Sequence, residues 1–125
     1  MSRGLPVLAA LLAAVGVMAG AFGAHALRDI VDPADLAIWE TASRYHLLHA
    51  VALLAIGLQS PESRIALHKP AIVLLVGTLI FSGSLYALVL SGIRGLGAVT
   101  PLGGVALIVG WVWLAWQLWQ QSGDR

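Results

Sequence analysis

Four long apolar runs dominate this chain and leave little choice of fold. The first, LPVLAALLAAVGVMAGAFGAHAL at residues 5–27, would extend about 34 Å as a helix, which is enough to cross the hydrocarbon core of a bilayer. Similar runs follow at about 36–59, 70–91 and 99–120. No run alternates polar and apolar residues as a membrane β-strand does, and a helix satisfies its own backbone hydrogen bonds in lipid. The runs predict an all-α, integral membrane four-helix up-down bundle that forms a single membrane domain over residues 1–125.

The composition agrees with a membrane protein. Hydrophobic residues make up 59% of the chain and charged residues 10%, whereas a soluble domain carries about 25% charged residues. The net charge of +1 comes without a basic block, which argues against a nucleic-acid partner and leaves the lipid bilayer as the expected one. The chain has no cysteine, which excludes disulfides, thiolate metal sites, iron–sulfur clusters and cysteine nucleophiles.

Proline-containing dipeptides between the runs predict where the helices begin and end. Asp32–Pro33 offers an N-cap followed by proline at the first helical position, so a helix is expected to begin there. Ser60–Pro61 is expected to end the second helix, and Lys69–Pro70 is expected to begin the third. His68 would then lie in the loop between these two helices.

The first run also resembles a secretory signal, because Arg3 precedes it and Ala24-His25-Ala26 forms a small-x-small cleavage pattern. The run is long for a signal core, so we predict that it is retained as a helix. Glycines at nearly helical spacing predict close packing against neighbouring helices, both in this run and at the start of the fourth. The glycines concerned are Gly16, Gly20, Gly23, Gly103 and Gly104.

The basic residues indicate how such a bundle is oriented. Four spans place both termini on one side of the membrane. That side holds Arg3, Arg64, Lys69 and Arg125, and the other side holds Arg28, Arg44 and Arg94. Because the side richer in basic residues faces the cytoplasm, the sequence predicts a multi-pass protein of the plasma (inner) membrane with both termini cytoplasmic.

Polar side chains are concentrated near one end of the predicted bundle. Within ETASRYHLLHA at residues 40–50, Glu40 and Arg44 have the spacing at which Glu and Arg pair on a helix, so we predict an ion pair at the membrane interface. His46 and His49 lie on a different face of the same helix. This stretch and the outer ends of the first and third runs predict a polar cluster near the outer surface. Its expected members are His25, Glu40, Arg44, Tyr45, His46, His49, Ser82 and Tyr86.

Several motifs carry a resemblance to a known family. They are AFGAHAL at 21–27, WETASRYHLLHA at 39–50, FSGSLY at 81–86, TPLGG at 100–104 and GW at 110–111. With these motifs in this order, the chain resembles the DUF423 (YgdD-like) family of small uncharacterised four-helix inner-membrane proteins. The resemblance implies a four-helix membrane protein but no particular reaction, because the family is one of unknown function. It also implies that the motif residues form one pattern: Gly23, His25, Trp39, Tyr45, His49, Ser82, Tyr86, Pro101 and Gly103.

Two functions would use the histidines in different ways. In a non-enzymatic membrane binding or accessory protein, they would hydrogen-bond to neighbouring helices, and a homo-oligomer or another membrane protein would be the partner. In a metal or haem protein, His25, His46 and His49 would be the candidate ligands, since imidazole binds zinc, copper and iron. No cofactor is otherwise predicted.

A transport or proton-relay component is a third hypothesis, because intramembrane ionisable residues often mark proton paths. The residues that could begin such a path are Glu40, Arg44, His49 and Tyr86. No acid or histidine continues the path through the other half of the bundle. A hydrolase with Ser82 or Ser84 as nucleophile and His49 as base lacks an acid to orient the histidine. We therefore predict a membrane binding or accessory protein that is not an enzyme.

Overall fold

The computed structural model describes residues 3–124, so Arg125, which entered the orientation count, lies outside the described residues. Between these limits the chain folds into four long helices with no strand. They are α1 (Gly4–His25), α2 (Pro33–Gly57), α3 (Pro61–Ser91) and α4 (Thr100–Gly123). Short 3-10 helices at Leu27–Asp29 and Arg94–Ala98 join α1 to α2 and α3 to α4. The prediction of an all-α four-helix bundle is confirmed.

The capping signals explain one predicted helix start and correct another. At the start of α2, the Asp32 side chain accepts a hydrogen bond of 2.8 Å from the Asp35 N–H, as predicted, and Pro33 takes the first helical position. At the start of α3, the Ser60 hydroxyl accepts from the Ser63 N–H at 3.4 Å. Ser60–Pro61 therefore begins α3 and does not end α2, which stops at Gly57.

The prediction that Lys69–Pro70 begins the third helix is wrong. Pro70 lies inside α3 and is buried. Inside a helix, proline removes one backbone hydrogen bond, but this helix has already been started by the cap at Ser60 and continues through Pro70. His68 is consequently an exposed helical residue and not part of a loop.

In the part of the chain that the structure describes, three segments are long and apolar enough to cross a membrane: Gly4–Asp29, Pro61–Ser91 and Arg94–Gly123. The helix α2 is not among them, because it carries Asp35, Glu40 and Arg44 in its first half and His46 and His49 just beyond its middle. Three of its polar side chains, Asp35, His46 and His49, are buried and hydrogen-bonded within the bundle, whereas Glu40 and Arg44 are exposed.

The helices pack in chain order. Within the described residues, the backbone of α1 contacts α2, α2 also contacts α3, and α3 also contacts α4, whereas α1 does not contact α3 or α4. We call the end that holds the two 3-10 helices the connector end, and the end where α1 begins and α4 ends the terminal end. The core has an apolar cluster towards each. Leu53, Leu67, Leu74 and Leu107 belong to the terminal-end cluster; Leu27, Trp39, Leu88 and Val89 form the connector-end cluster.

The contact between α1 and α2 repeats every seven residues. On α1 the buried residues are Ala9, Gly16 and Gly23. On α2 one row of buried residues is Trp39, His46 and Leu53. A seven-residue repeat on both helices is the pattern of a left-handed, closely packed antiparallel pair. The small residues of α1 allow this approach.

Candidate functional site

A network of buried polar side chains runs from the connector end to the middle of the bundle. Its centre is the polar face of α2, where Asp35, His46 and His49 are buried. From Asp35 to His49 this face extends about 21 Å along the helix axis. On α3 the hydroxyl residues Ser82 and Ser84 are also buried, Ser82 toward α2 and Ser84 toward α4. We refer to these side chains and their hydrogen-bond partners as the polar network.

His46 joins three helices through its two ring nitrogens. Nε2 lies 2.8 Å from the Leu12 carbonyl oxygen on α1, and Nδ1 lies 2.9 Å from the Tyr86 hydroxyl on α3. Because a carbonyl can only accept, the neutral ring carries its hydrogen on Nε2, and the Tyr86 hydroxyl donates to Nδ1. Both nitrogens are therefore occupied by protein partners.

The helix α1 passes close to α2 beside His46, at Gly16. A Cβ on Gly16 would lie 3.4 Å from the Cα of Leu47, the neighbour of His46 in the chain, which is an ordinary contact. The gap between the two helices beside the histidine is therefore about one methyl group wide. This closeness brings the Leu12 carbonyl, one helical turn before Gly16, within reach of the imidazole.

His49 takes the opposite tautomer. Its Nδ1 lies 2.7 Å from the Tyr45 carbonyl oxygen, so in the neutral ring Nδ1 carries the hydrogen. Its Nε2 accepts a hydrogen bond of 3.0 Å from the indole nitrogen of Trp111 on α4. This bond links α2 to α4, whose backbones are not in contact within the described residues.

Trp39 repeats the His46 arrangement one heptad closer to the connector end. Its indole nitrogen donates to the Ala19 carbonyl at 2.8 Å, and Ala19 lies seven residues after Leu12. The indole fits because residue 23 has no side chain: a Cβ on Gly23 would come within 2.6 Å of the Trp39 ring. The ring also packs on Tyr86, with 4.6 Å between ring centroids.

Two serines of α3 bind the helices on either side. The Ser82 hydroxyl donates to the Ala42 carbonyl of α2 at 2.8 Å. The Ser84 hydroxyl lies 2.6 Å from the Thr100 hydroxyl at the start of α4. The start of α4 also packs on α3 at Gly103, where a Cβ would collide with the Phe81 backbone.

An ion pair closes the connector end. The Arg94 guanidinium donates to both carboxylate oxygens of Asp35, at 2.8 and 2.9 Å. The Asp35 side chain is only 12% exposed, and it precedes the apolar part of α2. The hydrogen bonds from Arg94, helped by its charge, lower the pKa of the Asp35 carboxyl despite partial burial. A bidentate pair fixes orientation as well as distance, so it attaches the Arg94–Ala98 helix to the first turn of α2.

The structure divides the eight residues of the predicted polar cluster. His46, His49, Ser82 and Tyr86 belong to the polar network. Tyr45 is 40% exposed, and its ring packs at the edge of the bundle, 4.7 Å from the Phe81 ring centroid. His25, Glu40 and Arg44 are exposed. The prediction that Glu40 and Arg44 pair with each other is corrected: no ion pair joins their side chains, which point outward from α2.

Two of the glycines predicted to lie at helix contacts have room around them. A Cβ on Gly20 would meet no atom within 4 Å, since Gly20 turns away from the α2 contact. A Cβ on Gly104 would make an ordinary contact, at 3.8 Å from the Phe81 ring. Close approach therefore requires glycine at Gly23 and Gly103 but not at these two positions.

Sequence reasoning missed three partners in the network: Arg94, Thr100 and Trp111. Arg94 lies 59 residues from Asp35, and Trp111 lies 62 residues from His49. No local spacing rule connects residues so far apart. For Arg94 the sequence offers one usable signal, because the order of four spans puts residues 35 and 94 on the same side of the membrane.

Within the described residues, the catalytic and metal sites considered from the sequence are not assembled. Ser82 and Ser84 do not contact His49, so the nucleophile and base of a hydrolase are not assembled. Within residues 3–124 no carboxylate contacts either buried imidazole. The same residues include no group of three or more His, Asp or Glu side chains placed to hold a metal ion.

Comparison with known proteins places the chain in a family. A family model described as "Protein of unknown function (DUF423)" matches residues 19–104. A UPF0382 membrane protein of Staphylococcus saprophyticus is 45% identical over 108 residues, which cover 86% of this chain and 90% of that protein. A UPF0382 membrane protein of Staphylococcus aureus is 44% identical over 108 residues, covering 86% of this chain and 88% of its own length. No solved structure matches the chain. This chain, an integral membrane protein built as a four-helix bundle, therefore belongs to the DUF423 family.

Proposed function

We propose that this chain is a non-enzymatic accessory protein of the plasma (inner) membrane, and that the polar network holds its helices in one fixed arrangement. The observation that supports this is the state of the two buried histidines. All four of their ring nitrogens have a protein partner at 2.7 to 3.0 Å. A histidine in this state fixes helix positions and has no free nitrogen to offer a substrate, proton or metal.

The same bonds argue against the metal and haem hypothesis. To become a ligand, His46 would have to give up Tyr86 or the Leu12 carbonyl, and His49 would have to give up Trp111 or its own helix. His25, the third candidate, is exposed at the end of α1 and does not face them. A proton relay meets the same difficulty, since Glu40 and Arg44 lie on the opposite side of α2 from the imidazoles.

The test compares buried and exposed histidines in detergent-purified protein. We expect no stoichiometric metal and no haem absorption band in the wild type. We also expect His46→Leu and His49→Leu to lower the thermal midpoint, because each removes hydrogen bonds between helices. His25→Leu and His68→Leu are the matched controls and should leave the midpoint unchanged, since both residues are exposed.

The opposite result is equally clear. Metal or haem bound near one equivalent, and lost in a His46→Leu/His49→Leu variant that still elutes as a folded protein, would replace the accessory role with a redox or metal function. If the variants of the buried histidines have the same thermal midpoint as the variants of the exposed histidines, the polar network does not hold the helices together.

For orientation, we propose that both termini lie in the cytoplasm. Arg3, Arg64 and Lys69 all lie near the terminal end. At the connector end, Arg28 and Arg94 lie in the two 3-10 helices and are paired with Asp29 and Asp35, and Arg44 lies farther inside α2. Three basic residues near the terminal end against two in the connector-end helices favour the terminal end as the cytoplasmic side.

A further inference from the structure

The side of α2 turned away from the polar network carries a continuous exposed stripe. At about 100° per residue, its members fall within an arc of about 80°. We call it the α2 outer stripe. It consists of Ala37, Glu40, Arg44, Leu48, Val51, Ala55 and Leu58, all of which are exposed.

Arg44 in this stripe lies deep in the membrane. Trp39 is level with Ala19 of α1, and His46 is level with Leu12, because hydrogen bonds join these pairs. Interpolating between the two pairs places Arg44 level with residue 14 of α1, well inside the apolar run 5–27. Side chains on a helix lean toward its N-terminus, so the Arg44 guanidinium extends toward the depth of Glu40.

Neither the Glu40 nor the Arg44 charge has an ion-pair partner within residues 3–124. The ion pairs among the described residues are Arg28 with Asp29 and Arg94 with Asp35, so neither Glu40 nor Arg44 takes part in one. A charged side chain at this depth is strongly unfavourable in lipid unless it is paired or reaches water. The polar half of the outer stripe therefore requires a cover that carries charges of its own.

We infer that a second copy of this chain covers the α2 outer stripe, in a dimer whose two-fold axis runs along the membrane normal. Both copies then have the same orientation in the membrane, and their α2 helices run parallel. Arg44 of each copy pairs with the partner's Glu40, which is one turn nearer the connector end. The stripe is thus complementary to itself in charge, as a two-fold interface requires.

The rest of the stripe suits the same contact. Ala37 and Ala55 near its two ends are small and let helix backbones approach closely, as is typical of helix pairs in membranes. Leu48 and Val51 supply apolar surface on the terminal side of the charges, with 58% and 55% of their surface exposed. This inference rests on the proposed accessory role and names its partner as another copy of the chain.

Cysteine cross-linking tests the interface without changing a charge. The chain has no native cysteine, so Val51→Cys introduces the single thiol. Val7→Cys is the matched control: Val7 is the same residue type, lies level with Val51, and is 56% exposed on α1 against 55% for Val51. After oxidation of native membranes with copper phenanthroline, we expect a cross-linked dimer from Val51→Cys and monomer from Val7→Cys. Equal cross-linking of both, or none at Val51, would overturn the inference.

A charge exchange then tests the proposed pairing between copies. Glu40→Arg gives a stripe with two arginines, and Arg44→Glu gives one with two glutamates. In the Val51→Cys background we expect each variant alone to lose the cross-link. Co-expressed with different tags, the two should regain it as a mixed dimer, which pairing inside one chain could not produce. A mixed dimer no more abundant than either homodimer would contradict the pairing.

The two proposals fail in different experiments. A monomeric protein whose His46→Leu variant melts early would exclude the dimer and leave the accessory role standing. A dimer that cross-links at Val51 but binds metal at the buried histidines would keep the interface and remove the proposed accessory role.

Discussion

The buried histidines differ in the hydrogen each one carries. His46 holds its hydrogen on Nε2 toward the Leu12 carbonyl, and His49 holds its hydrogen on Nδ1 toward the Tyr45 carbonyl. His46 then accepts a hydrogen bond from Tyr86 through Nδ1, and His49 accepts one from Trp111 through Nε2. Two histidines three residues apart thus fix different helices: His46 fixes α1 and α3, and His49 fixes α4.

The bond between His46 and Tyr86 should be measurable as a coupling energy. We expect His46→Leu and Tyr86→Phe each to lower the free energy of unfolding, and the double variant to lose less than the two single losses added together. Interhelical hydrogen bonds in membranes are worth about 0.6 kcal/mol on average, and about 1.7 kcal/mol at most. The coupling should fall in that range in a double-mutant cycle measured by unfolding in mixed micelles.

The control cycle combines Tyr86→Phe with His25→Leu. His25 is exposed and does not bond to Tyr86, so these two changes should be additive. A coupling near zero for His46 with Tyr86 would mean that their 2.9 Å contact does not stabilise the fold.

Between elements, contact distance is set by single glycines. Gly20 and Gly23 are three residues apart on α1, yet only Gly23 faces α2 closely. Gly103 has the same role where α4 meets α3. Their spacing in the sequence predicted helix contact for all of them, but the spacing alone could not tell which face of α1 would meet Trp39.

Alanine substitutions should separate these glycines. Gly23→Ala is expected to lower the free energy of unfolding by about 1–3 kcal/mol, the range for overpacking, because the new Cβ would displace Trp39 from the Ala19 carbonyl. Gly20→Ala should be neutral or stabilising by up to about 1 kcal/mol, since alanine favours the helix. Equal effects of the two substitutions, measured by unfolding in mixed micelles, would show that α1 and α2 are not packed this closely.

The Asp35–Arg94 pair makes the connector end sensitive to acid. Arg94 holds the pKa of Asp35 below its usual value. The Asp35 carboxylate therefore binds a proton less tightly in the folded state than in the unfolded state. The stabilisation is therefore complete above about pH 4 and is lost as the pH falls through the lowered pKa. We expect Asp35→Asn to lower the thermal midpoint at neutral pH, and the difference from wild type to shrink in acid.

Arg94→Lys tests the geometry of this pair separately from its charge. Lysine keeps the charge but cannot donate to both carboxylate oxygens in one plane, so its midpoint should lie between those of wild type and Asp35→Asn. Arg28→Lys is the control, because Arg28 lies 4.0 Å from an exposed Asp29. A difference between Asp35→Asn and wild type that persists unchanged in acid would exclude the pair as its cause.

The helix boundaries show where sequence signals agree and where they compete. Asp32 and Pro33 both indicate a start, and α2 begins there. For α3, Ser60–Pro61 and Lys69–Pro70 are both acceptable starts, and apolar character favours the second. The capping bond at Ser60 comes first in the chain, and the helix then continues through Pro70. Hydropathy indicates the apolar part of α3, and this part is shorter than the whole helix.

For the whole molecule, the number of spans decides the topology. Within residues 3–124, three segments are apolar enough to span alone, and we expect α2 to accompany them because Trp39, His46 and His49 bond inside the bundle. Four spans put both termini on one side, whereas three would put them on opposite sides. Reporter fusions at the N-terminus and the C-terminus should therefore both be cytoplasmic, and a reporter inserted in Arg94–Ala98 should be external. A periplasmic C-terminal reporter with a cytoplasmic N-terminus would contradict a spanning α2.

The sequence predicted the architecture more completely than the site. Apolar run length is a local property, so four helices could be predicted from it. The polar network depends on partners such as Trp111 and Arg94, whose positions follow only after all four helices are packed. Glu40 and Arg44 show the opposite kind of error. Their local spacing predicts an ion pair, but among the described residues no ion pair joins the two side chains.

Packing in chain order has a consequence for how the protein is made. Each helix that leaves the ribosome finds, as its main neighbour, the helix translated just before it. The first hairpin can form its own bonds at once, from Trp39 to Ala19 and from His46 to Leu12. Tyr86 and then Trp111 arrive later to occupy the remaining imidazole nitrogens. Translation thus supplies the partners of the buried polar groups in sequence, and no helix has to leave an earlier neighbour to reach its final place.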